Sequence, residues 1–213
     1  MSDGPLVLAS TSEARLRLAR PLWRSLGREL VTIAPTCDEG ALRGATPAET
    51  ALLRAFAKAQ SVRDRFEPTA WIVGSDQVVD LEGSELGKPG TLARACAQLA
   101  ALAGKTHRVI TAVAVLGPDH RESRVVVSHM TMHPLSPEAI ATYVAADAPM
   151  GCAGSYKLEC GGRALFARIE TPDESAIEGL PLAALSGMLG PLRGEGTAPA
   201  FAHFDSPSPD SPR

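Results

Sequence analysis

The sequence predicts an α/β fold. Short apolar runs of the kind found in buried strands alternate with longer segments whose apolar residues recur at helical spacing. Several of the longer segments begin just after a serine or threonine in the capping position, and glycine or proline separates many of them. Strands that alternate with helices in this way are typical of α/β proteins.

Length and composition favour one globular domain. The chain has 213 residues, of which 45% are hydrophobic and 21% are charged. These are ordinary values for a globular protein with a sizeable core. We expect a domain over residues 1–194 and a disordered tail over residues 195–213, because the tail is rich in proline and serine.

Charge, hydropathy and cysteine spacing argue against several functions. A net charge of −3 argues against a nucleic-acid polymer as a partner, because such binding needs a basic face. No apolar run is long enough to span a membrane and no signal segment is evident, so we expect no membrane association and a cytoplasmic location. The four cysteines form no C-x-x-C pair, which argues against a zinc site or a disulfide framework.

The first predicted strand, Leu6 to Ala9, leads into a helix with Ser12 as its N-cap. Pro21 should kink or shorten this helix. Ser10 and Ser12 make the turn rich in hydroxyl groups, and a turn with free backbone N–H groups can bind an anion, to which Arg15 would add a bidentate contact. The simpler interpretation is a capped helix with an exposed arginine.

The second predicted strand, Leu30 to Ala34, is followed by the acidic pair Asp38 and Glu39. Such a pair can bind a divalent metal, although loops also carry acids for solubility alone. Thr46 then begins a helix with a proline in its first position and a capping box. Lys58 lies beside the apolar stripe of that helix, either as a functional cation or as a lysine that reaches solvent from the margin of the core.

The stretch from Trp71 to Pro89 contains the central chemistry. We expect a buried strand that ends at Val73, a turn of the chain at Gly74 and Ser75, and Asp76 directly afterwards, where an α/β sheet opens onto its ligand crevice.

A short hairpin is predicted around Glu82 and Gly83, and it would bring Lys88 back toward Asp76. A carboxylate and an ammonium at one sheet edge suit phosphate chemistry, since the first can take a proton from water and the second can neutralise phosphoryl oxygens. The alternative is a surface hairpin with solvated charges.

The rest of the chain continues the alternation. The predicted elements are a helix from Thr91 to a stop at Gly104, strands Val109–Leu116 and Arg124–Met132, a helix after Ser136, an irregular loop at 151–159, a strand Leu165–Ile169 and a helix Leu180–Leu189. The histidines near these strands lack the spacing of metal ligands, so we expect structural roles for them.

Taken in order, these motifs resemble the Maf family of nucleotide pyrophosphatases, from about Leu6 to Leu192. The motifs that carry the resemblance are Leu8–Ser12 with Arg15, Asp38–Glu39, Lys58–Ala59, Gly74–Gln77, Gly87–Pro89, Gly104–His107 and Ala153–Lys157. The resemblance implies an elongated α/β fold with a mixed β-sheet flanked by helices and a cleft between two lobes. It also implies a homodimer.

The resemblance implies hydrolysis of a nucleoside triphosphate between its α and β phosphates, which releases a monophosphate and pyrophosphate. Asp76 would be the general base or would fix the water through a metal, with Glu39 as the second metal carboxylate and Asp38 as its alternative. Arg15, Lys58 and Lys88 would clamp the triphosphate. Because acidic residues would repel this substrate, a divalent metal, Mg²⁺ or Mn²⁺, should be required.

Features near the expected base pocket resemble the subfamily that acts on 7-methyl-GTP. Gln77 stands where forms acting on dTTP and UTP generally have threonine, and it could donate to or accept from the base edge. A carboxylate at Glu159 would favour the positive charge of the methylated purine, although an exposed loop acid is the simpler interpretation. Ala14 stands at the usual position of a tryptophan, so a broader substrate range stays open unless Trp23 or Tyr156 replaces that ring.

Two other functions compete with this prediction. One is a pyrophosphatase for dTTP and UTP, against which Gln77 and Glu159 argue. The other is a nucleotide-binding regulator of septum formation or cell shape, which would not need both the carboxylate of Asp76 and three cations around it.

Overall fold

The computed structural model describes residues 4–192 of the chain. The predicted tail, residues 195–213, lies outside this range, as do residues 1–3 and 193–194 of the predicted domain. The described part is an α/β fold with a mixed sheet, as the sequence predicted. None of its helices is long and apolar enough to cross a membrane.

Within residues 4–192, seven strands form one sheet in the spatial order β2-β1-β3-β5-β6-β7, with β4 paired to β3. The pairings of β1 with β2 and with β3 are parallel, and the others are antiparallel. The strands are β1 (Leu6–Leu8), β2 (Val31–Thr32), β3 (Trp71–Leu81), β4 (Ser84–Leu86), β5 (Thr106–Gly117), β6 (His120–Met132) and β7 (Phe166–Glu170).

Helices cover both faces of the sheet. They are α1 (Glu13–Ser25), α2 (Pro47–Gln60), α3 (Leu92–Leu102), α4 (Pro137–Asp147), α5 (Glu174–Ile177) and α6 (Leu182–Met188). The capping box predicted at Thr46 is present at the start of α2, and the predicted caps at Thr91 and Ser136 accept hydrogen bonds at the starts of α3 and α4. Each such cap stabilises its helix by about 1 kcal/mol.

The hydrophobic core is distributed over both faces of the sheet. Helix α2 packs on one face of the sheet through small residues such as Ala51 and Ala55. On the other face, α1 and α6 enclose one core that contains Trp23, whereas α3 and α4 enclose a second core that contains Leu99 and Met130. The second face is therefore divided into two halves, in agreement with the two lobes that were expected.

The turn predicted at Gly74 and Ser75 is wrong, because β3 runs unbroken through both residues. Gly74 has a packing role instead. A Cβ atom there would lie 2.1 Å from the carbonyl oxygen of Ala55 and 2.8 Å from the backbone nitrogen of Ala59. The glycine therefore allows α2 to lie directly against the backbone of β3.

The expected shortening of the first helix at Pro21 does not occur, since α1 continues to Ser25. The turn after Pro21 is held by tertiary contacts: Trp23 is fully buried, and its indole N–H donates to the carbonyl of Leu6 at 2.9 Å. Ser12 occupies the N-cap position, but its side chain makes no capping hydrogen bond.

The edge of β3 has a gap that positions the site. Strand β1 pairs with Trp71–Val73, and β4 pairs with Val79–Leu81 on the same edge, so residues 74–78 lie between the two partners. We call this gap, residues 74–78, the notch. Asp76 and Gln77 lie in the notch, and as neighbours on a strand they point to opposite faces of the sheet.

His107 is buried at the start of β5 beside Tyr156 and Phe166. Its Nε2 lies 2.9 Å from the hydroxyl oxygen of Tyr156, and its Nδ1 has no hydrogen-bond partner within residues 4–192. Burial lowers the pKa of His107 from 6.5 to about 4. The imidazole is therefore neutral in the folded protein at pH 7, as a structural histidine should be.

We predict that His107→Gln reduces the loss of stability in acid. Between pH 6.5 and about 4, His107 binds a proton in the unfolded chain but not in the folded chain. Protonation therefore favours the unfolded chain, and the free energy of unfolding decreases as the pH falls. Gln retains a partner for Tyr156 and does not titrate. Urea unfolding at pH 7.5 and pH 4.5 should show a pH-dependent loss smaller by about 2 kcal/mol in the variant.

His129→Gln is the matched control for this experiment, because His129 is exposed on β6. It should lose as much stability in acid as the wild type does. Equal losses in the wild type and His107→Gln would contradict the assignment.

Candidate active site

A cleft of about 700 Å³ opens at the notch. Its walls are formed by the start of α1, the turn after β2, one face of α2, the β3–β4 hairpin, the loop at 151–159 and the end of α5. All ten residues singled out from the sequence line it, namely Ser10, Ser12, Ala14, Arg15, Glu39, Lys58, Asp76, Gln77, Lys88 and Glu159. The fold thus brings together residues that are up to 149 positions apart in the chain (from Ser10 to Glu159).

Lys58 lies at the centre of a buried ionic cluster. Its ammonium donates to Asp76 Oδ1 at 2.6 Å and lies 2.9 Å from Glu39 Oε2. Its side chain is only 6% exposed, so it does not reach solvent from the margin of the core as a surface lysine would. The ammonium can be buried because it is paired with two carboxylates, which compensate its charge.

The two carboxylate oxygens of Asp76 differ, because one accepts a hydrogen bond and the other has no partner among the described residues. Oδ1 accepts from Lys58, whereas Oδ2 is buried and has no hydrogen-bond partner in the part of the chain that the structure describes. Nη1 of Arg54 lies 3.9 Å from Oδ2, which is too far for a hydrogen bond. A buried acceptor without a partner is costly and points to a ligand or water at that oxygen.

Sequence reasoning missed Arg54 and Glu85. Arg54 donates through its Nη1 to Glu85 Oε1 at 2.6 Å and through its Nε to the carbonyls of Glu39 and Leu42 at 3.0 and 3.1 Å. Arg54 precedes Lys58 by four residues, so the two share one face of α2, and that spacing is the signal that could have identified it. Its partner lies 31 positions away on β4, which no local pattern shows.

Glu85 stays ionised in this surrounding. Burial alone would raise the pKa of its carboxyl group, but the hydrogen bonds and charge of Arg54, together with those of Arg43, lower that pKa below its usual value. Arg43 is mostly exposed and contacts Glu85 Oε2 at 2.7 Å. The Arg54–Glu85 pair is therefore a fixed ion pair near neutral pH.

The guanidinium of Arg15 faces the cleft with two nitrogens that no other described residue binds, and we call this pair of donors the fork of Arg15. Its Nε donates to the carbonyl of Gly179 at 2.8 Å, and its two terminal nitrogens have no partner within residues 4–192. Burial lowers the pKa of the Arg15 guanidinium from its usual value, while the charges of Asp76 and Glu39 oppose that change. Two parallel N–H donors of this kind match the oxygens of a phosphate or carboxylate.

The start of α1 is also open to an anion. The hydroxyl of Ser10 accepts from the N–H of Ser12 at 3.1 Å. Because the Ser12 side chain does not cap the helix, it leaves the first N–H groups of α1 for another acceptor. Together with the fork of Arg15, this end of α1 has the features of a phosphate subsite.

Gln77 cannot donate to a base edge in this arrangement. Its amide nitrogen already donates to the carbonyls of Ala176 and Ile177 at 3.0 and 2.8 Å and to the Thr111 hydroxyl at 3.0 Å. The amide oxygen of Gln77 has no partner among the described residues. Gln77 could therefore accept a hydrogen bond from a base but not donate one. The main effect of Gln77 is to hold the end of α5 against the sheet.

Lys88 and Glu159 lie at the exposed rim of the cleft. Neither side chain takes part in an ion pair with another residue of the described range. Trp23 cannot replace the tryptophan that Ala14 lacks, because its ring is fully buried between α1 and the sheet. Tyr156 lines the cleft, but it is only 7% exposed and its hydroxyl group is paired with His107.

The two carboxylates fit a divalent cation only in part. No group of three or more His, Cys, Asp or Glu side chains with the geometry of a metal site occurs in residues 4–192. Asp76 Oδ2 and Glu39 Oε1 are nevertheless the oxygens that Lys58 leaves free. Mg²⁺ is commonly held by one or two carboxylates plus substrate phosphates and water, and this pair suits that mode.

Asp38 is not part of this arrangement. Its Oδ1 accepts from the N–H groups of Gly40 and Ala41 at 3.0 and 3.4 Å, which caps the short turn that carries Glu39. Asp38 does not line the cleft. Of the two acids considered from the sequence, Glu39 is therefore the one that faces the candidate site.

The fold and the site define an α/β protein with a charged cleft at a gap in its sheet edge, equipped with anion-binding donors and two neighbouring carboxylates. The chain belongs to the Maf family, because the family model described as Maf-like protein matches residues 5–192. The resemblance inferred from the motifs is thereby confirmed.

Named relatives cover nearly the same length. The 7-methyl-GTP pyrophosphatase of Xanthomonas campestris pv. campestris (strain 8004) is 44% identical over 86% of this chain and 94% of its own. The protein of that name from Vibrio vulnificus (strain CMCP6) is 37% identical over 89% and 95%. Among solved structures, a nucleoside-triphosphatase / dITP/XTP pyrophosphatase from Mycobacterium abscessus matches 89% of this chain and 100% of its own, with 17% identity and a TM-score of 0.48.

We predict that Gly179→Ala impairs both stability and anion binding. Gly179 has a φ of +102°, and a Cβ there would lie 3.1 Å from Nε of Arg15. The strained backbone should cost roughly 1–3 kcal/mol, and the shifted guanidinium should bind inorganic tripolyphosphate more weakly. Urea unfolding and isothermal titration calorimetry measure the two effects.

Gly187→Ala is the control for this substitution. Gly187 lies in α6, and a methyl group there would meet no atom of another element within 4 Å. Alanine should therefore leave tripolyphosphate binding unchanged and stabilise the helix by up to about 1 kcal/mol. Wild-type stability and binding in Gly179→Ala would show that Arg15 does not depend on this glycine.

Proposed function

We propose that this protein hydrolyses a nucleoside triphosphate to the monophosphate and pyrophosphate, with 7-methyl-GTP as its preferred substrate. The observation that carries the proposal is the open oxygen of Asp76 within a cleft that also holds the unpaired fork of Arg15. The names of the relatives support the same activity.

The phosphate chain would lie between the start of α1 and the β3–β4 hairpin. Among residues 4–192, Arg15 and Lys88 are the cleft cations free to receive it, because Lys58 and Arg54 are already balanced by carboxylates. Two cations cannot balance a triphosphate, and the nearby acids add repulsion. A divalent cation held by Asp76 and Glu39 would supply the missing positive charge and stabilise charge on the phosphoryl oxygens.

Asp76 would accept the proton from the attacking water directly, or would fix that water through a metal held at Oδ2. As the water oxygen bonds to the α-phosphorus, the bond from that phosphorus to the bridging oxygen breaks, and that oxygen leaves with pyrophosphate. Lys58, hydrogen-bonded to Asp76 Oδ1, holds the carboxylate with its other oxygen turned toward the cleft.

The base would lie toward the loop at 151–159 and the end of α5. Leu158 and Ile177 offer apolar surface there, and Glu159 offers a carboxylate without an ion-pair partner among residues 4–192. Methylation of guanine at N7 gives the ring a positive charge, which a carboxylate favours over a neutral base. The small side chain of Ala14 leaves space at this position, where a ring would otherwise stack.

A nucleotide substrate also bears on location and assembly. Nucleoside triphosphates are cytoplasmic metabolites, so a cytoplasmic enzyme is the arrangement we propose. The homodimer expected from the family resemblance is retained as part of the proposal. Size-exclusion chromatography with light scattering measures it directly.

We predict that Asp76→Asn lowers kcat by about 100- to 10,000-fold, because the amide cannot take a proton from water. Binding of a non-hydrolysable nucleotide should be weakened but not abolished, since Arg15, Lys88 and Glu39 are unchanged. Asp38→Asn is the matched control, because an asparagine oxygen can still cap the turn after it, and it should retain wild-type kcat. Hydrolysis by Asp76→Asn at the wild-type rate would remove Asp76 as the base.

We predict that pyrophosphate release is faster from 7-methyl-GTP than from GTP, dTTP or UTP when all four are compared with Mg²⁺ or Mn²⁺. Glu159→Gln should reduce the ratio of kcat/KM for 7-methyl-GTP to that for GTP, because it removes the charge that favours the cationic ring. Glu170→Gln, on β7 and outside the cleft, should leave the ratio unchanged.

The result of this comparison separates the competing functions. Preference for dTTP or UTP would refute the base assignment while leaving the chemistry at Asp76 in place. Absence of turnover on all four nucleotides would refute the enzymatic proposal and favour a nucleotide-binding regulator.

A further inference from the structure

Arg54 and Glu85 form a charged pair in the wall of the cleft that no step above requires. The side chain of Arg54 is 9% exposed and that of Glu85 is 24% exposed. A guanidinium so deeply buried needs a countercharge, because an uncompensated buried charge is strongly destabilising. Glu85 supplies that countercharge from β4, across the cleft wall from α2.

One nitrogen of Arg54 faces two different carboxylates. Its Nη1 lies 2.6 Å from Glu85 Oε1 but 3.9 Å from Asp76 Oδ2. The first distance is a short charge-assisted hydrogen bond, and the second is outside hydrogen-bonding range. Asp76 Oδ2 has no hydrogen-bond partner in the described chain, so a shift of about 1 Å would let Nη1 of Arg54 donate to it.

We propose that Glu85 is a positioning residue that holds Arg54 away from Asp76 and so keeps Oδ2 open to a ligand. In this proposal Glu85 acts through Arg54, from which it accepts a hydrogen bond. If its charge were absent, the buried guanidinium would have Asp76 as its nearest remaining anion. A salt bridge between Arg54 and Oδ2 would then occupy the oxygen that a metal ion or the attacking water needs.

The inference rests on the proposed function in one respect, namely that Oδ2 is the working oxygen of Asp76. A purely structural role for the pair, in which it only fastens β4 to α2, gives a different expectation. In that case the loss of Glu85 loosens the hairpin, and the further loss of Arg54 cannot repair it. Under the proposal, removal of Arg54 relieves the defect, because nothing is left to close on Asp76.

The experiment measures Mn²⁺ binding without turnover, by electron paramagnetic resonance of the free ion. Glu85→Gln keeps the shape of the side chain and removes its charge, and it should weaken Mn²⁺ affinity by about 10-fold or more. The double variant Glu85→Gln with Arg54→Met should recover most of that loss. Arg43→Gln removes the exposed partner of Glu85 and should retain wild-type affinity.

Circular dichroism and thermal melting establish that each variant is folded. Should Glu85→Gln not fold, Glu85→Asp shortens the tether by one methylene and should weaken Mn²⁺ binding in the same direction. Pyrophosphate release measured on the same variants should follow Mn²⁺ affinity, with the activity lost in Glu85→Gln partly regained in the double variant.

Two results would overturn the proposal: wild-type Mn²⁺ affinity in Glu85→Gln, or a double variant that binds Mn²⁺ no better than Glu85→Gln alone. Lack of Mn²⁺ binding by the wild-type protein would overturn it as well. Failure of the proposed function is a separate outcome, because a wild-type protein without pyrophosphatase activity can still show the predicted order of Mn²⁺ affinities.

Discussion

The close approach of α2 to β3 is the constraint on which the site depends. Gly74 has no side chain, so the backbone of α2 lies against the strand at Ala55 and Ala59. This separation lets the ammonium of Lys58 meet Asp76 inside the protein rather than at its surface. A larger residue at position 74 would push the helix outward, and the buried charges would lose their partners. Backbone packing therefore determines the electrostatics of the cleft.

The lengths of β1 and β4 create the notch. Both pair with β3 on one edge but stop short of each other, which leaves residues 74–78 facing the cleft. Because side chains alternate along a strand, the notch presents Asp76 to α2 and Gln77 to α5. The notch therefore contributes to both walls of the cleft. Asp76 belongs to the ionic cluster around Lys58, and Gln77 holds the end of α5 by hydrogen bonds.

Local patterns were sufficient to predict most elements, whereas the set of residues around the cleft followed from the resemblance to the Maf family. The hairpin at Glu82 and the capping box at Thr46 depend on neighbours a few positions away, and both are present. The function of Gly74 could not be read this way, since the reason for a glycine there is a helix that lies against it in space. The Arg54–Glu85 pair and the donors of Gln77 were missed for the same reason: their partners are 31 to 100 positions distant.

The carbonyl of Gly179 accepts from both Arg15 and Ser75, and the carbonyls just before it accept from Gln77 and Thr111. The opposite wall differs. Its loop is anchored through Ser155, Tyr156 and Lys157, but the side chains of Leu158 and Glu159 make no hydrogen bond with another described residue. Residues on the two walls of the cleft should therefore differ in how easily they can be substituted when the substrate range changes. Substitutions at Leu158 and Glu159 should alter little else, whereas any change near Gly179 also disturbs Arg15, which we propose receives phosphate. Divergence among descendants of this chain should therefore accumulate on one wall.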